Sequence, residues 1–412
     1  MKQDTITIHG GQSSNETGSS VTPVYQSAAF AYASAQELAD VFAGRMPGYV
    51  YSRIANPTSV ALEQRLAELE GGIGCITTSS GMAAIASVAM GLLRAGDEIV
   101  SASGIFGGTV SLFSNTLSRF GIKTTFLQNN DAEELGKVIT ERTRFIFAET
   151  ISNPAMDVPD IEKFAEIANK HNIVLIADST ATTPVLIKPR DFGAHLIIHS
   201  TSKFINGHGN AIGGAIIDTG LYKWPDGCFE DIKQLAKRAG QMAFLSHLRN
   251  LIYRDLGGCA APMNSFLILQ GLEGLSMRMK RHCRNALALA EFLKSHKNVK
   301  WVNYPGLSES EYYGRVQKYF KGLGGGLLTF GAGSRESAFK FIDALKMTKN
   351  LANIGDSKTL VIHPASTIFR DLDAQIRERM KIGDDLIRVS VGVEDFEDIK
   401  NDFEQAINAS AR

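Results

Sequence analysis

The sequence has no excess of either charge: 43 basic residues face 43 acidic ones across 412 residues, with no block of one sign. That argues against nucleic acid and anionic membrane as main partners. Cysteine is sparse. Cys75, Cys228, Cys259 and Cys283 stand apart with no CxxC pair, which fits incidental thiols in a reduced, cytoplasmic protein better than disulfides or zinc. No run approaches the roughly 18 apolar residues of a membrane-spanning helix. The polar start "MKQDTITIHGGQSSNETG" has no signal-peptide core. Metal-ligand spacing of histidines, internal repeats and low-complexity tracts are also missing.

What is present is a change of pattern along the chain. Residues 1–60 show turn residues and little sustained period, so they read as an N-terminal arm with a short helix near "SAQELADVFAG". From about residue 72 to 217, short β-branched runs alternate with helices: "GCITTSS", helix 81–94, "DEIVSAS", helix 107–120, "KTTFLQ", a helix near 131–140, "TRFIFAET", helix 160–171, "IVLIADST", "LIIHSTS" and "GGAIID". Apolar strands separated by amphipathic helices predict an α/β fold with a mostly parallel sheet, helices on both faces. Residues 220–260 give no clear period. A long helix at 262–295, bent at "QGLEG", then opens a smaller C-terminal α+β region. The expected division is an arm at 1–60, a large domain at 61–260 and a C-terminal domain at 261–412.

Ligands of open α/β sheets bind at the carboxyl ends of the strands, so the residues leaving those ends are the candidates. After "GCITT" come Ser79-Ser80-Gly81-Met82, opening a helix. They suit a phosphate at a helix N-terminus, although taken alone an ordinary serine cap is the commoner use of such a turn. After "RFIFAET" comes Asn153 in "ISNP", and after "IVLIA" comes Asp178. A carboxylate ending an apolar strand either pairs with a cation or caps the next turn. After "HLIIH" come Ser200, Ser202 and Lys203. A lone lysine is usually solvated; with its pKa lowered it is a Schiff-base nucleophile. Together these are the parts pyridoxal 5'-phosphate requires: an amine for the aldehyde, an anion for the pyridine nitrogen, and N–H and O–H donors for the phosphate.

With those residues goes a resemblance. "HGGQ", "TPVYQSAAF", "YSRIANPT", "SSGMAAI", "FGGT", "ISNP", "IADST", "HSTSKFINGHGNAIGGAI", "LQGLEGLSMRM", "NIGDSKTLVIHPAS" and "IRVSVGVED" occur in the order found in the pyridoxal-phosphate enzymes of cysteine and methionine metabolism. That family is a branch of the fold-type I, aspartate-aminotransferase-like group. The resemblance runs over nearly the whole chain. It implies that Lys203 joins the cofactor, Asp178 pairs with the pyridinium, and Gly81, Met82, Ser200 and Ser202 hold the phosphate beside Ser80. It further implies Asn153 near the cofactor's 3-oxygen and Phe106 stacked on the ring. Tyr51 and Arg53 of "YSR" would reach the phosphate of a neighbouring subunit, making an obligate homo-oligomer, usually a tetramer, with shared active sites. Arg388, and Asn353 beside it, would receive the substrate.

Within the family, "GHGNAIGG" and "NIGDSKTLVIHPAS" most resemble the branch that replaces the acetate of O-acetylhomoserine with sulfide. The implied reaction is a γ-replacement giving homocysteine, with Lys203 and Tyr51 as the catalytic residues. Cystathionine γ-synthesis, O-succinylhomoserine sulfhydrylation and methionine γ-elimination are the alternatives of the same resemblance. The sequence leaves open whether sulfur arrives as free sulfide or on a sulfur-carrier protein. Two residues depart from the family pattern: Phe106 stands where a tyrosine is usual, and Phe369 where histidine is common. Gly107 stands where methionine lyases of the family typically have cysteine. His208 reads as structural, and "GLGGGL" at 322–327, which precedes a strand, reads as close backbone packing rather than a nucleotide loop.

Overall fold

Seven short runs rich in apolar and β-branched residues form one sheet in the computed structural model, which describes residues 1–11, 18–224, 229–370, 377 and 380–410. The strands are β1 (Gly74–Thr78), β2 (Glu98–Ser101), β3 (Lys123–Phe126), β4 (Thr143–Glu149), β5 (Val174–Asp178), β6 (Leu196–His199) and β7 (Gly214–Asp218). Their order is β1-β7-β6-β5-β4-β2-β3. Only β7 runs against its neighbours; the pairs from β6 to β3 are parallel. Parallel strands must be covered on both faces, and Phe145, Ile146 and Phe147 of β4 and Val174 to Ala177 of β5 are accordingly buried. Each Phe, Ile, Leu or Val side chain among them contributes about 1.5–3 kcal/mol by leaving water.

A second sheet has five strands, β8 (Trp301–Asn303), β9 (Leu327–Gly331), β10 (Lys349–Asn350), β11 (Leu360–Ile362) and β12 (Leu386–Ser390), in the order β10-β11-β12-β9-β8. Its core joins Phe330, Ile387 and Val389 to helices Leu275–Ser295, Arg335–Ala344 and Phe396–Ser410. The proposed division at residues 61–260 and 261–412 puts one sheet in each part.

Several elements differ from expectation. The arm begins with an unforeseen helix, Gln3–His9, which buries Ile6 and is tied down where Arg65 Nε donates to Gly10 O (2.7 Å) and Ser276 Oγ to Asp4 Oδ1 (2.6 Å). The expected helix 107–120 is α only over Gly107–Ser111, then widens to a π turn (Leu112–Thr116) and tightens to 3₁₀ (Leu117–Phe120). Residues 262–295 form two helices, Pro262–Glu273 and Leu275–Ser295, divided at Gly274. In "GLGGGL" a Cβ on Gly324 would lie 2.7 Å from Gly306 Cα, which is the close packing expected of that run.

Candidate active site

The carboxyl ends of β4, β5 and β6 and the loop before β11 enclose a cavity of about 480 Å³. Its wall brings together Ser80, Gly81, Met82, Phe106, Asn153, Asp178, Ser200, Ser202, Lys203, Asn353 and Arg388. All these positions were expected from the sequence. Tyr51 and Arg53 do not line it: Tyr51 is 44% exposed, and Arg53 stacks on the Tyr51 ring and donates to Arg254 O. Phe369 does not line it either. Its ring is 1% exposed and the wall position goes to Ile368.

The phosphate candidates sit at the start of helix Gly81–Leu92. Ser80 is its N-cap, and its Oγ accepts from Ala83 N (3.1 Å). First-turn N–H groups have no partner within a helix, so those of Gly81 and Met82 remain available to an anion. Gly81 is needed for a steric reason: a Cβ there would lie 2.7 Å from Ser200 Cβ. Ser202 is already engaged, its Oγ donating to Gly213 O (3.1 Å) and accepting from Gly213 N (2.9 Å). Thr180, which sequence reading did not single out, fastens the two strand ends. Its Oγ1 accepts from Ser200 N (2.8 Å) and its N–H donates to Asp178 Oδ1 (2.9 Å).

Sequence reading also missed Glu149, although it ends an apolar strand just as Asp178 does. The two residues are register partners on β4 and β5, and Glu149 Oε1 accepts from Phe106 N (2.6 Å). Burial raises both carboxyls, and the Asp178 charge raises Glu149 further. Two enclosed carboxyls this close resist both being ionised, and a protonated ring nitrogen held by Asp178 would offset that charge. The carboxylates therefore fit a pyridinium.

On the opposite wall Lys203 Nζ donates to Asn353 Oδ1 (2.6 Å). Burial, and then the charge of Arg388, bring its ammonium down to about 8, so a substantial share of the amine is neutral in mildly alkaline solution. Arg388 projects from β12 and is 3% exposed. Its Nη1 donates to Asn153 Oδ1 (3.3 Å) and Nη2 to Asn353 O (2.9 Å), both neutral, while the buried Nε has no partner. Burial lowers it to about 10. A buried guanidinium that lines a cavity and has only neutral partners can receive a carboxylate there. Asn353 thus links the amine to the anion site. His208, with Nδ1 2.6 Å from Asn206 O, braces the loop behind Lys203.

Phe106 lines the cavity and is 40% exposed, an apolar ring suited to stacking. No group of metal ligands occurs among the described residues, and none of their helices is long and apolar enough to cross a membrane. Cys75, Cys259 and Cys283 are free thiols; Cys228 lies outside the described residues.

Known proteins share this architecture. Homocysteine/cysteine synthase of Saccharomyces cerevisiae is 40% identical over 98% of this chain and 97% of its own. O-acetyl-L-homoserine sulfhydrylase of Leptospira meyeri is 38% identical over 99% and 97%. A Campylobacter jejuni structure described as an O-acetylhomoserine (thiol)-lyase, carrying a pyridoxyl-lysine phosphate, superposes with a TM-score of 0.93. It is 38% identical, with 99% of this chain and 100% of that one covered. The Cys/Met metabolism PLP-dependent enzyme family matches residues 4–408. With Lys203, Asp178 and Arg388 gathered in one cavity, the protein belongs to that family.

Proposed function

We propose that the protein converts O-acetyl-L-homoserine and sulfide to L-homocysteine and acetate by γ-replacement. The observation that carries this reading is the convergence of Lys203 and Arg388 on Asn353 in one cavity, an amine beside a carboxylate receptor. The names of the relatives supply the substrate class. Bound pyridoxal phosphate supplies an electron sink for negative charge at the substrate's α and β carbons. Asp178 keeps the ring nitrogen protonated, and the Gly81 and Met82 N–H groups with Ser80 and Ser200 hold the phosphate. Ser202 holds the Gly213 backbone behind them, and its hydroxyl would have to release Gly213 O to donate to the phosphate. Arg388 would fix the substrate carboxylate, Asn153 would lie near the ring oxygen, and Lys203 would move protons at Cα and Cβ. Acetate then leaves Cγ and sulfide takes its place.

Phe106 offers its ring without a phenol, so proton transfer falls to Lys203 and to Tyr51. Phe106→Tyr is expected to keep cofactor binding, read as the yellow absorbance of a lysine-bound pyridoxal; loss of that absorbance would count against the stacking role. Tyr51 and Arg53 serve the neighbouring subunit's cavity in a homotetramer, which is supported by their exposed position outside their own. Mixing inactive Arg53→Ala with inactive Lys203→Ala is expected to restore activity in mixed oligomers, because one cavity of each pair regains both groups. No restoration on subunit exchange would contradict sharing.

Against methionine γ-elimination stands Gly107, where a Cβ would lie 2.9 Å from the Phe369 ring and leaves no room for a cysteine. We place the enzyme in the cytoplasm, which its scattered free thiols support. The deciding assay measures homocysteine from O-acetyl-, O-succinyl- and O-phospho-homoserine with free sulfide, with and without a thiocarboxylated carrier protein. Methionine is run beside them for 2-oxobutyrate and ammonia. Homocysteine from the acetyl ester supports the proposal; 2-oxobutyrate from methionine as the main product overturns it.

A further inference from the structure

Arg278 lies outside the cavity and has no part in the chemistry above. It sits in the first turn of helix Leu275–Ser295, just past the break at Gly274. Its three hydrogen bonds all go to carbonyl oxygens: Nη1 to Phe204 O (2.7 Å), and Nη2 to Ile205 O (3.1 Å) and Gly271 O (2.6 Å). Nε is buried without a partner. A largely buried cation bound only to backbone is costly to keep, which asks what the arrangement does.

Two of these carbonyls belong to the two residues that follow Lys203. The chain there makes a tight turn: Lys203 N donates to Ser200 O (3.2 Å), Asn206 N to Thr201 O (3.0 Å) and Gly207 N to Lys203 O (2.8 Å). The turn ends at Gly207, in the left-handed region with φ 74°. At such an end the last carbonyls lack following N–H donors, and a cation there is favourable. The guanidinium provides both. It approaches so closely that a Cβ on Gly207 would lie 2.0 Å from Nη1. From the other side, Ser357 N and Oγ each donate to Gly207 O (2.8 Å), and Gly355 lets its loop pass 2.4 Å, at a would-be Cβ, from Phe204 N. That second loop carries Asn353, the partner of Lys203 Nζ. The turn is therefore gripped between a helix of the C-terminal part and the loop that receives the amine.

We propose that Arg278 is a positioning residue for Lys203: by binding Phe204 O and Ile205 O it fixes the turn that aims the amine at Asn353 and the cavity. The proposal rests on Lys203 being the cofactor-bearing lysine. Without the guanidinium Phe204 O and Ile205 O, as well as Gly271 O, lose that donor, the turn loosens, and the amine spends less time in line with the proton it moves. Arg388 shares no hydrogen-bond partner with Arg278, so substrate affinity is expected to change little.

The test uses the holoenzyme. Arg278→Met is expected to lower kcat by about 10²-fold, the scale of a misplacement near 1 Å, with KM within about twofold of wild type. Amide exchange is expected to quicken in the peptide spanning 203–207 while helix Leu275–Ser295 stays protected. Arg278→Lys, which keeps the charge but not the fork, is expected to recover part of the kcat. Wild-type kcat and wild-type exchange at 203–207 in Arg278→Met would overturn the proposal, as would a raised KM at unchanged kcat. If Arg278→Met does not fold, Arg278→Lys decides: reduced kcat at unchanged KM supports the role, and wild-type kcat overturns it. Borohydride trapping of pyridoxal on Lys203 in the wild-type protein separates the two claims. Its absence defeats the cofactor reading, whereas trapping with an indifferent Arg278→Met defeats only this one.

Discussion

Replacing Lys203 by alanine is expected to lower turnover by about 10⁴-fold or more, since one change removes the cofactor's amine partner and the proton carrier. Pyridoxal phosphate is expected to remain bound through the Gly81–Met82 turn and Asp178, but as the free aldehyde, with the lysine-bound absorbance gone. Turnover near the wild-type rate without added amine would contradict the assignment. A pH signature accompanies it in the wild-type chain. Only the neutral amine captures an aldehyde, and burial with the nearby Arg388 charge sets the Lys203 ammonium at about 8. Reconstitution of the apoprotein with cofactor is therefore expected to quicken as pH rises through about 8 and to slow below it. A rate that climbs only near the ordinary lysine range would show that the amine is not enclosed as described.

Arg388→Ala is the second large effect. Its guanidinium offers charge-assisted hydrogen bonds to a carboxylate, worth about 1.5–3 kcal/mol each. Losing two costs at least about 3 kcal/mol, or roughly 10²-fold in kcat/KM for O-acetylhomoserine. The loss is expected mostly in KM. Arg388→Lys keeps the charge without the planar fork and is expected to fall between the two. Because the Arg388 charge also depresses Lys203, the alanine variant is expected to move the reconstitution profile to higher pH, while the lysine variant holds it. An alanine variant with unchanged kcat/KM would remove Arg388 from the substrate site.

Most of the cavity was legible because its residues leave strand ends, where side chain and backbone both face the ligand. Lys203, Asp178 and the Ser80–Gly81 turn follow from that rule. Glu149 obeys it too and was passed over, although "TRFIFAET" ends in a carboxylate as "IVLIAD" does. Phe369 and Ile368 show a different limit. They follow the turn Pro364–Ser366, where no helical or strand period tells which of two neighbours faces inward. Tyr51 and Arg53 sit outside their own chain's cavity, and it was the family resemblance, not periodicity, that singled them out.

The fold was least legible where the helical period breaks. Residues 220–260 contain a π turn at Leu248–Tyr253 between short helices, and the region 107–120 contains another at Leu112–Thr116. A π turn shifts the apolar stripe, so the 3.6-residue pattern blurs. In the first helix, "QDTITIH", the polar ends hide the single isoleucine that packs inward.

The most direct test of the account is borohydride reduction of the protein reconstituted with pyridoxal phosphate, followed by peptide mapping. Reduction is expected to bleach the yellow protein and leave a pyridoxyl group on Lys203 alone, with matching loss of homocysteine formation from O-acetylhomoserine and sulfide. A protein that stays colourless after reconstitution, or a pyridoxyl group on any other lysine, would contradict it.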